Sequence, residues 1–272
     1  MNAAPRTAAA AAPRTTTTAS RPVADRSIAR LRPAEDPGLR LICFPHVGAG
    51  ATAFRPWLEH LPPEVDLCAI RPPGRESRIR EALLTDGRSL LDEVEPHLAP
   101  LLDVPFAVVG HCSGSVLAHE FTRRLHAAGG PLPVELVVSS SEGPRERVVE
   151  DPPLHRLPGR ELLTRVVSYG GMAQQVLEDP DLMAMFERIL RADYQVVETL
   201  EHSPGPALDL PVTVIGGRRD GFVSARAMSA WSAETTKEFA LHLLDADHYI
   251  LNEAGALMGR IARRLLVRGG GG

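Results

Sequence analysis

The 272-residue chain has only three cysteines, Cys43, Cys68 and Cys112, an odd number with no CxxC spacing. A disulfide framework and a cysteine-based zinc site are therefore set aside, and a reducing cytosol fits. A single lysine, Lys237, stands among 30 basic residues, and 34 acidic residues leave a formal net charge of −4. That balance argues against nucleic acid as a partner. No apolar run approaches the roughly 18 residues that a membrane span needs, so no membrane partner is expected. Internal repeats are also missing. What is present is 44% hydrophobic and 24% charged. This is an ordinary globular composition, on a chain long enough to bury a full core.

The two ends differ from the rest. Residues 1–22 are almost all Ala, Thr, Pro and Arg, with no acidic residue. Residues 1–38 are expected to be a disordered extension, without the apolar core of a secretory signal. The glycines of 269–272 read as a flexible tail, which leaves 39–268 as the folded domain.

From Leu39 onward, short apolar runs alternate with amphipathic ones. The runs 39–44, 65–70, 106–109, 134–138, 212–215 and 239–244 are mostly β-branched or leucine and are bounded by Gly or Pro. Such runs read as buried strands of a parallel sheet. Helical patterning falls around Leu58 and over 89–102, 115–128, 225–233 and 256–267. Strand–helix alternation of this length implies a doubly wound α/β sheet with helices on both faces. The alternation breaks between Ser139 and Leu210, where 159–169 and 180–200 have helical apolar spacing. A helical insertion late in an α/β sheet is expected to form a lid, here over about 140–210. Met183, Phe186 and Tyr194 are its candidate substrate-binding side chains, because methionine and its large neighbours suit an irregular binding channel.

The segment Gly110-His111-Cys112-Ser113-Gly114 follows an apolar run and opens a helical one. This is the strand–turn–helix setting of a nucleophile elbow, with glycines where neighbouring side chains would clash. The central residue between the two glycines is Cys112, not Ser113. In the α/β-hydrolase order the acid and then the base follow the nucleophile. Asp220 comes just after the run 212–215, and His248 just after 239–244. Strand ends are where sites assemble in such sheets. His248 would take the thiol proton and Asp220 would orient the imidazole. The backbone N–H groups of Val47, in a glycine-rich loop, and Ser113 are the expected oxyanion donors. His46 is expected to fix that loop, and Arg71 and Arg75 to be solvated charges.

These residues together resemble the type II thioesterases of polyketide and nonribosomal peptide synthesis. The resemblance runs from about Leu39 to Leu265. It is carried by Phe44-Pro-His46, Pro73-Gly74-Arg75, the Gly110-His111-x-x-Gly114 elbow, Pro206, Asp209-Leu-Pro-Val-Thr-Val, Gly216-Gly217, Asp220 and His248-Tyr249. It implies an α/β-hydrolase fold with a helical lid, and acyl thioesters on the phosphopantetheine arm of an acyl or peptidyl carrier protein as substrate. It also implies a monomer with no metal and no cofactor of its own, since the pantetheine arrives with the substrate.

Two departures bear on the chemistry. Cys112 stands where the family usually has serine, and Ser113 where it usually has methionine. Val47, Gly48 and Ala49 replace the usual Ala-Gly-Gly. An acyl-cysteine is still a thioester, so transfer or cyclising release to an amine or alcohol is the alternative to hydrolysis. A carrier-binding module without activity is the second alternative.

Overall fold

The computed structural model describes residues 26–172, 174–202 and 205–269. Seven strands form one sheet: β1 (Ile28–Arg32), β2 (Leu39–Phe44), β3 (Val65–Ile70), β4 (Phe106–His111), β5 (Glu135–Ser139), β6 (Val212–Gly217) and β7 (Phe239–Leu244). Their order is β1-β3-β2-β4-β5-β6-β7. Every pairing is parallel except that of β1 with β3. The helices are α1 (Gly87–Leu98), α2 (Ser113–Ala127), α3 (Gly159–Ser168), α4 (Pro180–Thr199), α5 (Ala225–Ser229) and α6 (Leu251–Gly269). This is the α/β-hydrolase arrangement, and none of its described helices is long and apolar enough to cross a membrane.

The central strands are buried along their whole length because both faces are covered. Ile42, Phe44, Val108, Val138 and Val214 face one side and pack with Leu91, Val94 and Leu98 of α1 and Phe121 of α2. Their alternates Leu41, Cys43, Val109, Val137 and Ile215 face the other, under Met258, Ile261 and Leu265 of α6. Each leucine-sized side chain so buried contributes about 1.5–3 kcal/mol before entropy is counted. The segment near Leu58 is not an α-helix. It is a 3-10 turn over Ala51–Trp57 containing Pro56, whose missing N–H suits a short turn better than a helix interior.

β1 corrects the expected domain start at residue 39. The short stretch Ile28–Arg32 is rich in arginine, so its composition gives a weak strand signal. It is held at the sheet edge by pairing with β3 and by Arg30, which bonds the fully buried Asp66. Residues 1–25 of the expected extension, and 270–272 of the expected tail, lie outside the described residues.

The insertion between β5 and β6 is helical, as its spacing predicts. Pro180 opens α4, and the Asp179 carboxylate accepts the N–H groups of Asp181 and Leu182 at 2.9 and 3.1 Å. Leu162, Leu163 and Val166 of α3 and Leu190 of α4 form a small core of their own with Leu154 and Leu157.

Candidate active site

Parallel strands end on the same edge, so the loops after β4, β6 and β7 meet. Cys112 caps the start of α2 immediately after β4, with φ +51° and ψ −122°. A non-glycine residue in this region is strained, and the surroundings must hold it there. The Cys112 N–H donates to the Ser139 carbonyl at 2.7 Å, and its carbonyl accepts from the Ser115 N–H at 2.9 Å. A side chain at Gly114 would sit 2.2 Å from the Phe44 carbonyl oxygen, and one at Gly110 2.4 Å from Ser115 Cα. The two glycines therefore let β2, β4 and α2 close around the turn.

His248 Nε2 lies 3.2 Å from Cys112 Sγ, and His248 Nδ1 lies 2.9 Å from Asp220 Oδ2. The other Asp220 oxygen accepts the N–H groups of Phe222 and Val223 at 2.8 and 3.0 Å. Burial works to raise the Asp220 pKa, but these hydrogen bonds outweigh it and the carboxyl sits below its ordinary value. Burial likewise pulls His248 down, yet the Asp220 hydrogen bond and the Cys112 contact prevail and its pKa rises to about 10. Ser140 Oγ donates to the His248 carbonyl at 2.7 Å and so fixes the base from the adjoining strand end. The run Ser139-Ser-Ser141 gave no sign of this in the sequence, because a serine run suggests only a polar loop.

The other two cysteines are fully buried within strands, and burial drives both pKa values upward, Cys68 to about 12. His111 is fully buried and His46 half-buried, and desolvation lowers both pKa values, His46 to about 4. A lowered pKa makes each a weaker base than His248. The His46 carbonyl accepts the Ala49 N–H at 3.0 Å, and its ring packs edge-on against His111 and Tyr249.

A cavity of about 390 Å³ opens on Cys112 and His248. Val116, Leu154, Tyr194, Val197, Phe222 and Tyr249 contribute its apolar wall, and Glu142, Arg147, Glu150 and Glu198 its polar side. Tyr194 is thus placed where the sequence suggested. Met183 and Phe186 are not: both pack against the small core that joins α3 to α4. Helical spacing put all three on α4 but could not show which side faces the sheet. Phe222, which follows the acid by two residues, is 49% exposed and packs edge-on against Tyr169 and His248. Nothing in the sequence singles it out, since one aromatic residue in a loop carries no pattern.

Two further expectations change. Arg75 is buried, and its guanidinium makes a bidentate pair with Asp193 of α4, with Nη2 to Oδ1 at 2.8 Å. Arg71 pairs with Glu76 at 3.0 Å. The Val47 N–H does not face the cavity as an open donor, because it donates to Ser113 Oγ at 2.8 Å. Serine in place of a longer apolar side chain brings an acceptor within reach of that amide.

A family model described as a thioesterase domain matches residues 39–265. The gramicidin S biosynthesis protein GrsT of Aneurinibacillus migulanus is 32% identical over 79% of this chain and 84% of its own length. The thioesterase PikA5 of Streptomyces venezuelae is 30% identical over 83% of this chain and 80% of its own. Among solved structures, the type II thioesterase BorB from the borrelidin biosynthetic cluster is similar with a TM-score of 0.78. Its identity is 35%, and the match covers 89% of this chain and 98% of that one. The RedJ thioesterase of the prodiginine pathway in Streptomyces coelicolor gives 0.75 at 30% identity, covering 92% and 98%.

Proposed function

This chain belongs to the thioesterase family, and from that premise we propose that it cleaves acyl thioesters held on the phosphopantetheine arm of a carrier protein, through an acyl-Cys112 intermediate. The observation that carries the reading is the continuous hydrogen-bonded line Asp220–His248–Cys112, with 2.9 and 3.2 Å between its members. The relatives from polyketide and nonribosomal peptide pathways support the carrier-bound substrate.

The chemistry follows from that line. Cys112 passes its thiol proton to His248 Nε2, its Sγ adds to the thioester carbonyl carbon, and the carbonyl electron pair moves onto oxygen. As the tetrahedral species collapses, the carbon–sulfur bond to pantetheine breaks, and the leaving sulfur takes a proton from His248 Nε2. Water then attacks acyl-Cys112 and gives its proton to His248. The carbon–Sγ bond breaks, releasing the free acid and restoring Cys112. Asp220, acceptor-only and held by two backbone N–H groups, keeps Nδ1 protonated and the ring in line. The Ser113 N–H, in the first turn of α2, has no carbonyl one turn back and is available to the oxyanion.

The nucleophile's identity favours a second reading beside hydrolysis. Acyl-Cys112 keeps the thioester's reactivity, so an amine or alcohol admitted to the cavity could replace water. Incubation with an acyl-pantetheine, followed by intact-mass measurement and product analysis, tests both. An adduct on Cys112 with free acid released supports the thioesterase reading, and a coupled or cyclic product supports transfer. Failure to acylate Cys112 at all would overturn the nucleophile assignment and return the non-catalytic binding module to consideration.

A further inference from the structure

Three consecutive N–H groups in the loop after β2 already have acceptors. Val47 donates to Ser113 Oγ at 2.8 Å, Gly48 to Asp193 Oδ2 at 2.8 Å, and Ala49 to the His46 carbonyl at 3.0 Å. A carbonyl oxygen polarised at Cys112 therefore meets no open amide among these three. What it meets is Ser113. That side chain stands in the wall between the Cys112 cavity and a small void of about 30 Å³ behind the loop, and it lines both. Its oxygen accepts the Val47 N–H, and none of the described hydrogen bonds uses its own proton.

We propose that the Ser113 hydroxyl, polarised from behind by the Val47 N–H, is the side-chain donor of the oxyanion hole and acts together with the Ser113 backbone N–H. This rests on the reading of Cys112 as the acylated residue. The physical reason is cooperativity: a hydroxyl that accepts one hydrogen bond donates a stronger one. When Sγ bonds to the carbonyl carbon and the electron pair moves to oxygen, the Ser113 O–H hydrogen-bonds to that oxygen without transferring its proton. The bond weakens again when the carbonyl re-forms and the sulfur leaves. Val47 thus contributes at one remove, as a positioning group, and Ser113 takes the place that the loop amide would otherwise hold. Methionine, usual at this position in the family, has no proton to give. The hydroxyl is thus a feature of this chain, alongside its cysteine nucleophile.

The test uses Ser113→Ala and Ser113→Thr in the full chain, with ¹³C-carbonyl cinnamoyl-pantetheine as the acyl donor. Turnover, melting temperature and the infrared carbonyl band of the Cys112 adduct are read together. Ser113→Ala should lower kcat about 100-fold, the order expected for one oxyanion donor. Its carbonyl band should move to higher frequency, showing a less polarised bond, with the melting temperature little changed. Ser113→Thr, which keeps the hydroxyl, should restore most of the rate and the band position. An adduct on Ser113→Ala with an unmoved band and turnover within twofold of the parent would overturn this inference alone, showing that the hydroxyl does not polarise the acyl carbonyl. Absence of any Cys112 adduct in the parent chain would overturn both this inference and the nucleophile reading beneath it.

Discussion

Cys112 is held in a left-handed backbone conformation between two glycines that tolerate no side chain. The residue is half-buried, and its sulfur lies 3.2 Å from His248 Nε2. Cys43 and Cys68 are fully buried, and burial keeps both as thiols. Iodoacetamide at neutral pH should therefore label Cys112 alone, as peptide mass mapping would show. Cys112→Ala should abolish acylation without altering the circular dichroism spectrum. The histidine offers a second check. Its folded pKa is about 10, against an ordinary value of 6.5. Its contribution to stability is thus complete below about pH 6.5 and is lost as pH rises through about 10. Asp220→Asn removes the carboxylate that helps hold the imidazolium. The variant should lose less stability between pH 6 and pH 10 than the parent does. The difference in urea unfolding free energy should be at least about 1.4 kcal/mol, the worth of one pKa unit.

At the scale of elements, α4 decides how the lid meets the site. Asp193 reaches from α4 to Arg75 and to the Gly48 N–H, tying the lid helix to the loop beside the elbow. Removing one partner leaves the other charge buried without compensation, at a cost of about 3–5 kcal/mol. Asp193→Asn should therefore lower the melting temperature clearly. Because the loop shifts, kcat should fall more than KM rises. Phe186 and Tyr194 make a contrasting pair on the same helix. Phe186 packs α4 on α3, whereas Tyr194 also faces the Cys112 cavity. Phe186→Ala should cost about 1–3 kcal/mol, less than a fully buried Phe→Ala change, with every acyl chain affected alike. Tyr194→Ala should instead shift the chain-length profile toward longer acyl groups. A competition assay with mixed acyl-pantetheines separates these outcomes.

At the scale of the molecule, β1 is the piece most easily misjudged. It pairs antiparallel with β3, and Arg30 reaches Asp66, which is fully buried and otherwise held by Arg40 at 3.3 Å. A chain started at residue 39 would uncover an edge strand and leave a buried carboxylate with half its partners. Against a chain started at residue 26, it should lose about 2 kcal/mol or more. That corresponds to a fall in melting temperature of roughly 4–8 °C for a domain this size. Equal melting temperatures in a calorimetric comparison would show β1 to be dispensable.

Periodicity, the glycine frame of the elbow and chain order were enough to give six strands, the lid's helices and the Cys112–Asp220–His248 series. Each is a local pattern: a buried strand must be apolar, a tight turn must lack side chains, and a loop residue must follow its strand. The sequence could not show that Met183 and Phe186 turn toward α3, that Arg75 is buried against Asp193, or that Ile28–Arg32 closes the sheet. Those facts depend on partners distant in the chain, 36 residues away for Arg30 and 118 for Arg75. The Val47 amide is the sharpest case. Val47 and Ser113 lie 66 residues apart, and only the closing of β2 against β4 and α2 brings the amide onto the hydroxyl. Sequence supplied both groups. Tertiary structure decided that one would donate to the other, because a hydrogen bond requires its donor and acceptor to meet within about 3 Å.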